Sequence, residues 1–318
     1  MGELNAVDYK YLSDNSRYAD LFNGVLFGGE QVLIPDKLTG EDTKLVTTNE
    51  TVWRERSRDL IRKYENGASY AVLGIENQEN VSYIMPFRIM EYEAGEYSKQ
   101  IEEMQKKHKD SGDVSGDEFL SKFAKTDKVN PCVTLVLYWG ENWDGPESLK
   151  DMLNLGGLPE QMKAYVNDYP MHLVNVREFE NTDVFRTDLK LVFDFMKCAE
   201  DKKCMTELVV GNPAYQRVPR DAWKMMQVHG KLEEPKVDAA EDEEEEAMVN
   251  VCRAIDDIKN DAMERGIERG RSEGLEIGLK NLVKVLKGQC KGFEELYNSL
   301  IGMEGYESLT REQVSKYV

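Results

Sequence analysis

An apolar run that ends in polar residues, ASYAVLGIENQEN at residues 68–80, most constrains how this chain can fold. Residues 71–75 have the length and composition of a buried strand, and the strand then ends in Glu76-Asn77-Gln78. Because side chains alternate along an extended chain, Glu76 and Gln78 lie on the same side of it. Two polar side chains at a strand end indicate either a solvated edge or half of a metal site.

A turn signal just before this run predicts the partner of the strand. Asn66-Gly67 is a strong hairpin dipeptide, so residues 59–64 are expected to pair antiparallel with the apolar strand. Asp59, at the start of the first strand, then lies beside Glu76, at the end of the second. Two carboxylates at that separation have little reason to coexist without a cation between them, and hard oxygen ligands of this type suit magnesium or manganese.

Helical and strand-like patterns alternate along the chain before the tail. Such alternation predicts an α/β domain over residues 1–225, followed by an acidic linker at 226–250 and a helical tail at 251–318. The remaining strands are expected at 130–140 and 171–178, and the helices at the start of 10–34, at 83–108 and at 183–210.

The predicted tail is highly charged and contains glycines at four-residue spacing. Each glycine in a helix interior costs about 1 kcal/mol relative to alanine, so glycines kept in register favour close approach of a second helix. The alternative is a solvent-exposed spacer helix. We predict self-association through the helix at 251–280, and we interpret the acidic run 241–246 as a solvated linker or as a DNA mimic that shields the site. The glycines are Gly266, Gly270, Gly274 and Gly278.

Composition narrows the function classes. The 41% of hydrophobic residues is enough for a substantial core, whereas the net charge of −19 argues against broad electrostatic attraction to nucleic acid or to anionic membranes. A nucleic-acid role must therefore rest on a local basic surface or on metal ions that bridge to phosphate. The start of the chain lacks a secretory signal pattern and no apolar stretch is long enough to span a membrane, so we expect a cytoplasmic protein without membrane association.

Cysteine and histidine usage argues against three further kinds of site. The five cysteines are few and widely spread, which favours reduced thiols in a cytosolic protein over a disulfide framework. Cys198 and Cys204, the closest pair, have no histidine nearby, so a zinc site is not expected there. His108, His172 and His229 are isolated in the sequence, which disfavours a histidine-dependent hydrolase.

Six sequence blocks, taken together, match one known family. They are YLSDNSRYADLFNGVLFGG, RDLIRKY, AVLGIENQ, MPFRIMEYEAGEYSKQ, NPCVTLVLYWGENWDGPESLKDML and RGIERGRSEG, and they are distributed along most of the chain. On these blocks the chain resembles the recombination-promoting nucleases, or putative transposases, of the PD-(D/E)XK nuclease superfamily. The metal motif of that family is an Asp, a spacer and then Glu-x-Gln. Asp59, Glu76 and Gln78 match it, with Arg58 in the place of the usual proline of the superfamily.

The resemblance implies a restriction-endonuclease-like fold, in which helices flank a central mixed sheet and a charged helical tail follows. It implies that Asp59 and Glu76 hold magnesium (Mg2+), with manganese (Mn2+) as an alternative, and that Gln78 orients a water. Asp20 matches, less closely, the position of an additional acid. Candidate phosphate contacts in the helix after the motif are Arg88 and Tyr97, and more weakly Tyr92.

Two functions from different classes remain. The first is a metal-dependent DNA endonuclease, linked to recombination or mobile elements and acting as a homo-oligomer. The second is a non-catalytic binding or assembly protein that keeps the fold. The net charge of −19 favours the second, and the intact set of Asp59, Glu76 and Gln78 favours the first, which we therefore predict. Trp139 and Trp143 are interpreted as structural anchors or, alternatively, as side chains that stack on bases.

Overall fold

A computed structural model describes most of the chain, and the described residues form two compact units. The first unit contains the described residues up to 233 together with 248–252, and the second contains 253–318. The acidic run 241–246 lies outside the described residues. The described stretches are 3–40, 44–46, 55–57, 59–67, 69–233 and 248–318.

The first unit is built around a mixed β-sheet. The strands of the described chain are β1 (Leu38–Gly40), β2 (Lys44–Val46), β3 (Glu55–Ser57), β4 (Leu60–Asn66), β5 (Ser69–Gln78), β6 (Cys132–Tyr138), β7 (His172–Asn175), β8 (Val218–Pro219) and β9 (Met248–Val249). Five of them form the central sheet in the order β1-β4-β5-β6-β7. The first three strands of that order pair antiparallel and the last three pair parallel. This is the central mixed sheet that the sequence predicted.

Helices of the first unit flank the sheet. The helices of the described chain are α1 (Glu3–Leu12), α2 (Asn15–Phe27), α3 (Met85–Ser111), α4 (Asp117–Ser121), α5 (Leu149–Met152), α6 (Glu160–Lys163), α7 (Leu189–Lys197), α8 (Lys202–Gly211), α9 (Arg220–His229), α10 (Val251–Leu286), α11 (Phe293–Ile301) and α12 (Arg311–Ser315), of which α11, α12 and most of α10 belong to the second unit. α3 covers one face of the sheet, where Ile89 packs in one cluster with Val136 of β6. Trp139, which directly follows β6, faces the other way and contacts Phe193 of α7 and His229 of α9. Among the described helices, none is long and apolar enough to cross a membrane.

The hairpin predicted from Asn66-Gly67 is confirmed. β4 and β5 pair antiparallel from Leu60 opposite Ile75 to Asn66 opposite Ser69. Gly67 has a φ of +71°, a left-handed conformation that glycine adopts without the penalty of a Cβ atom. This register places the start of β4 beside the polar end of β5.

Two of the predicted helical segments are each divided in the structure. Residues 10–34 contain the end of α1 and then α2, because Asp14 starts a new helix by accepting hydrogen bonds from two backbone N–H groups of its first turn. Residues 183–210 contain α7 and α8, because Asp201 caps the start of α8 in the same way. In both cases an aspartate within the helical pattern marks the break.

The domain boundary predicted at 225 falls inside a helix. α9 continues to His229, and several of its side chains are buried in the first unit. The first unit therefore reaches residue 233, and the predicted linker at 226–250 begins with helix. Residues 234–247 of that linker lie outside the described chain.

One cysteine pair corrects the expectation of reduced thiols. Cys198 and Cys204 form a disulfide with their Cα atoms 5.3 Å apart. Cys198 directly follows α7 and Cys204 lies in the first turn of α8, so the change of chain direction between these helices brings the two sulfurs together. The other cysteines, Cys132, Cys252 and Cys290, are free thiols, as expected.

The second unit contains most of the glycine-spaced helix and a small helical cap. Gly278 belongs to the packing of this unit, since a Cβ atom there would lie 2.2 Å from the Tyr306 hydroxyl. A Cβ at Gly266, Gly270 or Gly274 would meet no described atom within 4 Å, so packing within the unit does not explain these glycines. Self-association through this helix stays a prediction. The buried side chains that join α10, α11 and α12 are Leu279, Val283, Leu296, Leu300 and Val314.

Candidate functional site

The two predicted carboxylates lie at the same edge of the sheet. Asp59 directly precedes β4, so extending the β4–β5 ladder by one residue places it opposite Glu76, and opposed residues share a face of the sheet. The backbone N–H of Asn77 donates to Asp59 Oδ2 over 2.7 Å. Glu76 is only 2% exposed. Burial raises the pKa of Asp59, and the hydrogen bond from Asn77 opposes this shift only in part.

A guanidinium lies against the Glu76 carboxylate. Arg88, in the first turn of α3, donates from Nη2 to Oε1 of Glu76 and, over 2.9 Å, to the hydroxyl of Tyr92. Arg88 and Tyr92 are four residues apart and so share one face of the helix. Burial lowers the pKa of Arg88, but the charge of Glu76 together with the contacts to Tyr92 and the charge of Asp59 outweighs this effect, so the pKa is raised. Arg88 is therefore a permanent positive charge at the end of β5.

Gln78 ends β5 with its amide turned back towards the carboxylate. Its Nε2 donates over 2.7 Å to the backbone oxygen of Asn77 and over 3.3 Å to Oε1 of Glu76. Glu76 and Gln78 thus share a side of the strand, as the alternation of side chains predicted. The Gln78 side chain is partly exposed, so a water or a substrate oxygen can reach it.

The donor atoms at this edge fit a hard divalent cation. Asp59 and Glu76 offer carboxylate oxygens, and Gln78 offers a neutral amide oxygen. Magnesium keeps several water ligands and is usually held by only one or two carboxylates, so this donor set is sufficient in kind. Among the described residues, no group of three or more His, Cys, Asp or Glu side chains is placed to hold a metal ion. A cation at this edge would therefore depend on water and substrate oxygens as well.

Tyr97 contacts another part of the sheet. Its hydroxyl accepts a hydrogen bond from the backbone N–H of Cys132, at the start of β6, over 3.2 Å. Cys132 pairs with Val72, and Gln78 pairs with the last residue of β6, so the two ends of this parallel ladder are about 20 Å apart. Tyr92, in contrast, lies at the candidate site, because it is one helical turn from Arg88 and accepts a hydrogen bond from it.

Asp20 stabilises the junction between two helices. Its carboxylate accepts hydrogen bonds from the backbone N–H groups of Arg186 and Thr187, at 2.8 and 2.7 Å, and from the Thr187 hydroxyl at 2.7 Å. These bonds connect α2 to the segment that leads into α7. None of the hydrogen bonds described for Asp20 reaches Asp59 or Glu76, and its assignment as an additional acid stays a prediction.

The opposite face of the same sheet edge carries a network that sequence reasoning missed. Both ring nitrogens of His229 contact carboxylates, Nε2 with Asp8 at 2.6 Å and Nδ1 with Glu79. The His229 ring stacks on Trp139 with the centroids 4.0 Å apart, and Trp139 Nε1 donates to Asn77 Oδ1 over 3.2 Å. Asp8 and His229 are 221 residues apart in the chain, so no local pattern could have predicted their contact.

The two tryptophans near β6 are structural in their contacts. Trp139 is almost completely buried, which supports its interpretation as an anchor and leaves no ring face for a base. Trp143 is partly buried and packs edge-on against Tyr138, with the ring centroids 5.1 Å apart. Both side chains stabilise the segment that follows β6.

The fold and the site together define a class: a mixed α/β protein with a restriction-endonuclease-like sheet, whose polar edge carries two carboxylates, an amide and an arginine. A family model described as "Putative transposase, YhgA-like" matches residues 50–211, just over half of the chain. The chain therefore belongs to this transposase-like family, and the family relation predicted from the sequence blocks is confirmed. The matched region includes β4, β5 and α3, whereas Asp8 and His229 lie outside it. No curated protein and no solved structure matches the chain.

Proposed function

We propose that this protein is a metal-dependent DNA endonuclease that hydrolyses phosphodiester bonds in recombination or in the movement of mobile elements. The observation that carries the proposal is the position of Asp59 beside Glu76 at the end of β5, with Gln78 on the same face and Arg88 against Glu76. The transposase-like family supports DNA as the substrate. The relation to PD-(D/E)XK nucleases is part of the proposal, because it supplies the motif that these residues match.

Asp59 and Glu76 would hold magnesium, or manganese, through their carboxylate oxygens, with the backbone carbonyl of Ile75 or Asn77 as a candidate further ligand. A divalent ion bound there would lower the pKa of a coordinated water and offset charge on the scissile phosphate. Gln78 would orient that water through its amide group. Because this amide is neutral, it does not replace the positive charge that a lysine would supply, and another side chain must provide it.

Arg88 provides that charge. Its side chain is 31% exposed, so it can leave Glu76 for a phosphate oxygen without unfolding the helix that carries it. A divalent cation held by Glu76 would balance the charge of the buried carboxylate in place of the guanidinium. Arg88 would then be available to the scissile phosphate, for which its planar fork is well suited, and would stabilise the charge that develops there.

The test is cleavage of supercoiled plasmid DNA in magnesium by the wild-type protein and by Glu76→Gln. The substitution keeps the size of the side chain and removes a proposed ligand charge, so nicking and linearisation should be lost. They should also be lost for the wild type in EDTA. Glu160→Gln is the matched control, because Glu160 is an exposed carboxylate in α6, outside the candidate site, and its loss should not change the rate. Equal cleavage by wild type and Glu76→Gln would disprove the assignment of the site.

We also propose that the protein acts as a homo-oligomer through residues 251–280. The open space beside Gly266, Gly270 and Gly274 supports a closely packed partner helix, and Ile267 on the same helix is largely exposed. Two chains would bring two sites to one duplex, so that each site cuts one strand. Light scattering should give a multiple of the chain mass for the wild type and a lower mass for Gly270→Glu, and an unchanged mass would contradict the proposal.

A non-catalytic assembly protein is the second candidate function. The observation that favours it is the ion pair of Arg88 with Glu76, in which the guanidinium already balances the charge of the buried carboxylate. This function predicts DNA or protein binding that is the same for wild type and Glu76→Gln, and no plasmid cleavage by either. The plasmid experiment therefore decides between the two candidates.

A further inference from the structure

A buried charged cluster lies behind the candidate site. The side chain of His229, at the end of α9, is fully buried between Asp8 of α1 and Glu79, which directly follows β5. Each ring nitrogen of His229 faces one carboxylate, and only the positively charged imidazolium, with a proton on both nitrogens, can donate to both of them. Burial lowers the pKa of His229, but its hydrogen bonds to Asp8 and Glu79 outweigh this effect and raise it above its ordinary value. The cluster is an imidazolium held by two carboxylates from distant parts of the chain.

The cluster is connected to the backbone that carries the site. The His229 ring stacks on Trp139 with an interplanar angle of 12°. Trp139 donates from Nε1 to Asn77 Oδ1 over 3.2 Å and from its backbone N–H to the oxygen of Gln78 over 2.9 Å. The backbone N–H of Asn77 in turn holds Asp59. One ring contact and two hydrogen bonds therefore connect His229 to a proposed metal ligand.

Arg177 fixes the same two aromatic residues from another direction. Its Nε donates to the backbone oxygen of Trp139 over 2.8 Å, and its Nη2 donates to that of His229 over 3.2 Å. The relative position of the two rings is thus set by main-chain contacts as well as by stacking. A rotation of Trp139 would break the hydrogen bond to Asn77, so the indole is held in the orientation that Asn77 requires.

We infer that His229 is a positioning residue for the proposed cleavage reaction, acting through Trp139 and Asn77 on the orientation of Asp59. The inference rests on the proposed function and extends it to a residue outside the region that the family model matches. His229 does not contact the reacting atoms, because its ring lies against Asp8, Glu79 and Trp139 on the opposite face of the sheet. Its influence on rate follows from geometry, since a misplacement of about 1 Å in a catalytic group can lower a rate by about 100-fold.

His229→Gln tests this inference, because glutamine keeps a hydrogen-bond donor but cannot carry the charge. His172→Gln is the control, since His172 is exposed on β7. The rate of single-turnover plasmid cleavage is measured at saturating magnesium and DNA, at a temperature where each variant is fully folded. NMR signals of the Trp139 indole N–H and the Asn77 backbone and side-chain amides report on the network without requiring activity.

The expected result for His229→Gln is a rate lower by about 10- to 100-fold per folded molecule, with little change in the affinity for DNA. The Trp139 and Asn77 signals should shift, and the control should change neither rate nor signals. Glu79→Gln keeps a hydrogen-bond acceptor for the His229 ring, so its cleavage rate should fall less than that of His229→Gln. A purely stabilising role would instead lower the unfolding temperature of His229→Gln and leave the rate of the folded protein unchanged.

An unchanged rate with unchanged Trp139 and Asn77 signals in folded His229→Gln would overturn the inference. If that variant does not fold, Trp139→Phe takes its place, because phenylalanine keeps an aromatic ring in the core and removes the N–H that reaches Asn77. A wild-type rate in Trp139→Phe would then overturn it. If the wild-type protein does not cleave at all, the proposed function fails, and the NMR signals alone decide whether His229 positions Asn77.

Discussion

The two faces of the sheet at the end of β5 carry the same arrangement of charge in different settings. On the α3 face the cation is Arg88, against Glu76 and near Asp59, and on the opposite face it is His229, between two further carboxylates. The Arg88 side chain is 31% exposed, whereas the His229 side chain is fully buried. The first cation can therefore exchange with one from solution and the second cannot. This difference in exposure separates a candidate site from the structure that supports it.

The largest expected effect comes from Asp59, and Asp8 on the opposite face is its comparison. Asp59→Asn removes a proposed magnesium ligand, and plasmid cleavage should fall by roughly 1,000-fold or more, since metal catalysis supplies several kcal/mol of transition-state stabilisation. Burial already raises the pKa of Asp59, so removal of its charge should not lower the unfolding temperature. Asp8→Asn should lower the unfolding temperature and reduce the cleavage rate much less. Equal losses of rate in both variants would show that the two faces form one site.

The next largest effect concerns Arg88, the partly exposed cation on the α3 face. Arg88→Gln should lower the cleavage rate by roughly 100-fold, because the loss of one preorganised donor to a developing charge costs about that much. The same variant should bind magnesium more tightly by titration calorimetry, since the guanidinium no longer competes with the ion for Glu76. Arg88→Lys is the matched control, because it keeps the charge and loses the planar fork. Its cleavage rate should lie between those of the wild type and Arg88→Gln. Weaker magnesium binding in Arg88→Gln would mean that Arg88 supports the metal site and does not compete with it.

The α3 face was predictable from the sequence because its residues follow local patterns. The alternation in β5 predicts that Glu76 and Gln78 share a side, and the dipeptide Asn66-Gly67 predicts the hairpin that brings Asp59 to them. The assignment of these residues to one metal motif came from the family resemblance. Local spacing and resemblance together were enough to find this side of the sheet.

The opposite face was not predictable, because its contacts depend on how distant helices pack. His229 ends α9 and Asp8 lies on α1, so their contact exists only after both helices have packed on the sheet. The disulfide between Cys198 and Cys204 was missed for a related reason: it depends on the turn between two helices that the periodicity merged into one. In both cases the deciding step is tertiary packing.

A smaller effect concerns His229, the buried cation, which should make the stability of the protein depend on pH. The pKa of His229 is raised in the folded protein, so its stabilising contribution is fully present below its ordinary pKa of about 6.5 and is lost as the pH rises through the folded value. The groups that face it are Asp8 from α1 and Glu79 after β5, and Arg177 contacts its backbone oxygen. Urea unfolding should therefore show wild-type stability declining above about pH 6.5.

The matched variants for this pH dependence are His229→Gln and His172→Gln. His229→Gln should be less stable than the wild type at acidic pH, and the difference between them should shrink as the pH rises. His172→Gln should follow the wild-type curve, because His172 is exposed on β7. Parallel curves for wild type and His229→Gln would mean that the buried ring does not change its charge over this range.

The smallest expected effect tests whether the hydroxyl of Tyr92, on the same helix, orients the side chain of Arg88. Tyr92→Phe removes the hydroxyl that accepts from Arg88 and keeps the ring in the core, so the cleavage rate should fall by about 2- to 10-fold, the equivalent of one net hydrogen bond. Tyr97→Phe is the control, because its hydroxyl binds the backbone of Cys132 at the other end of the ladder; it should change stability and not rate. If Tyr97→Phe slowed cleavage as much as Tyr92→Phe, the rate would depend on the packing of α3 as a whole, and the exposed position of Arg88 would not by itself explain its role.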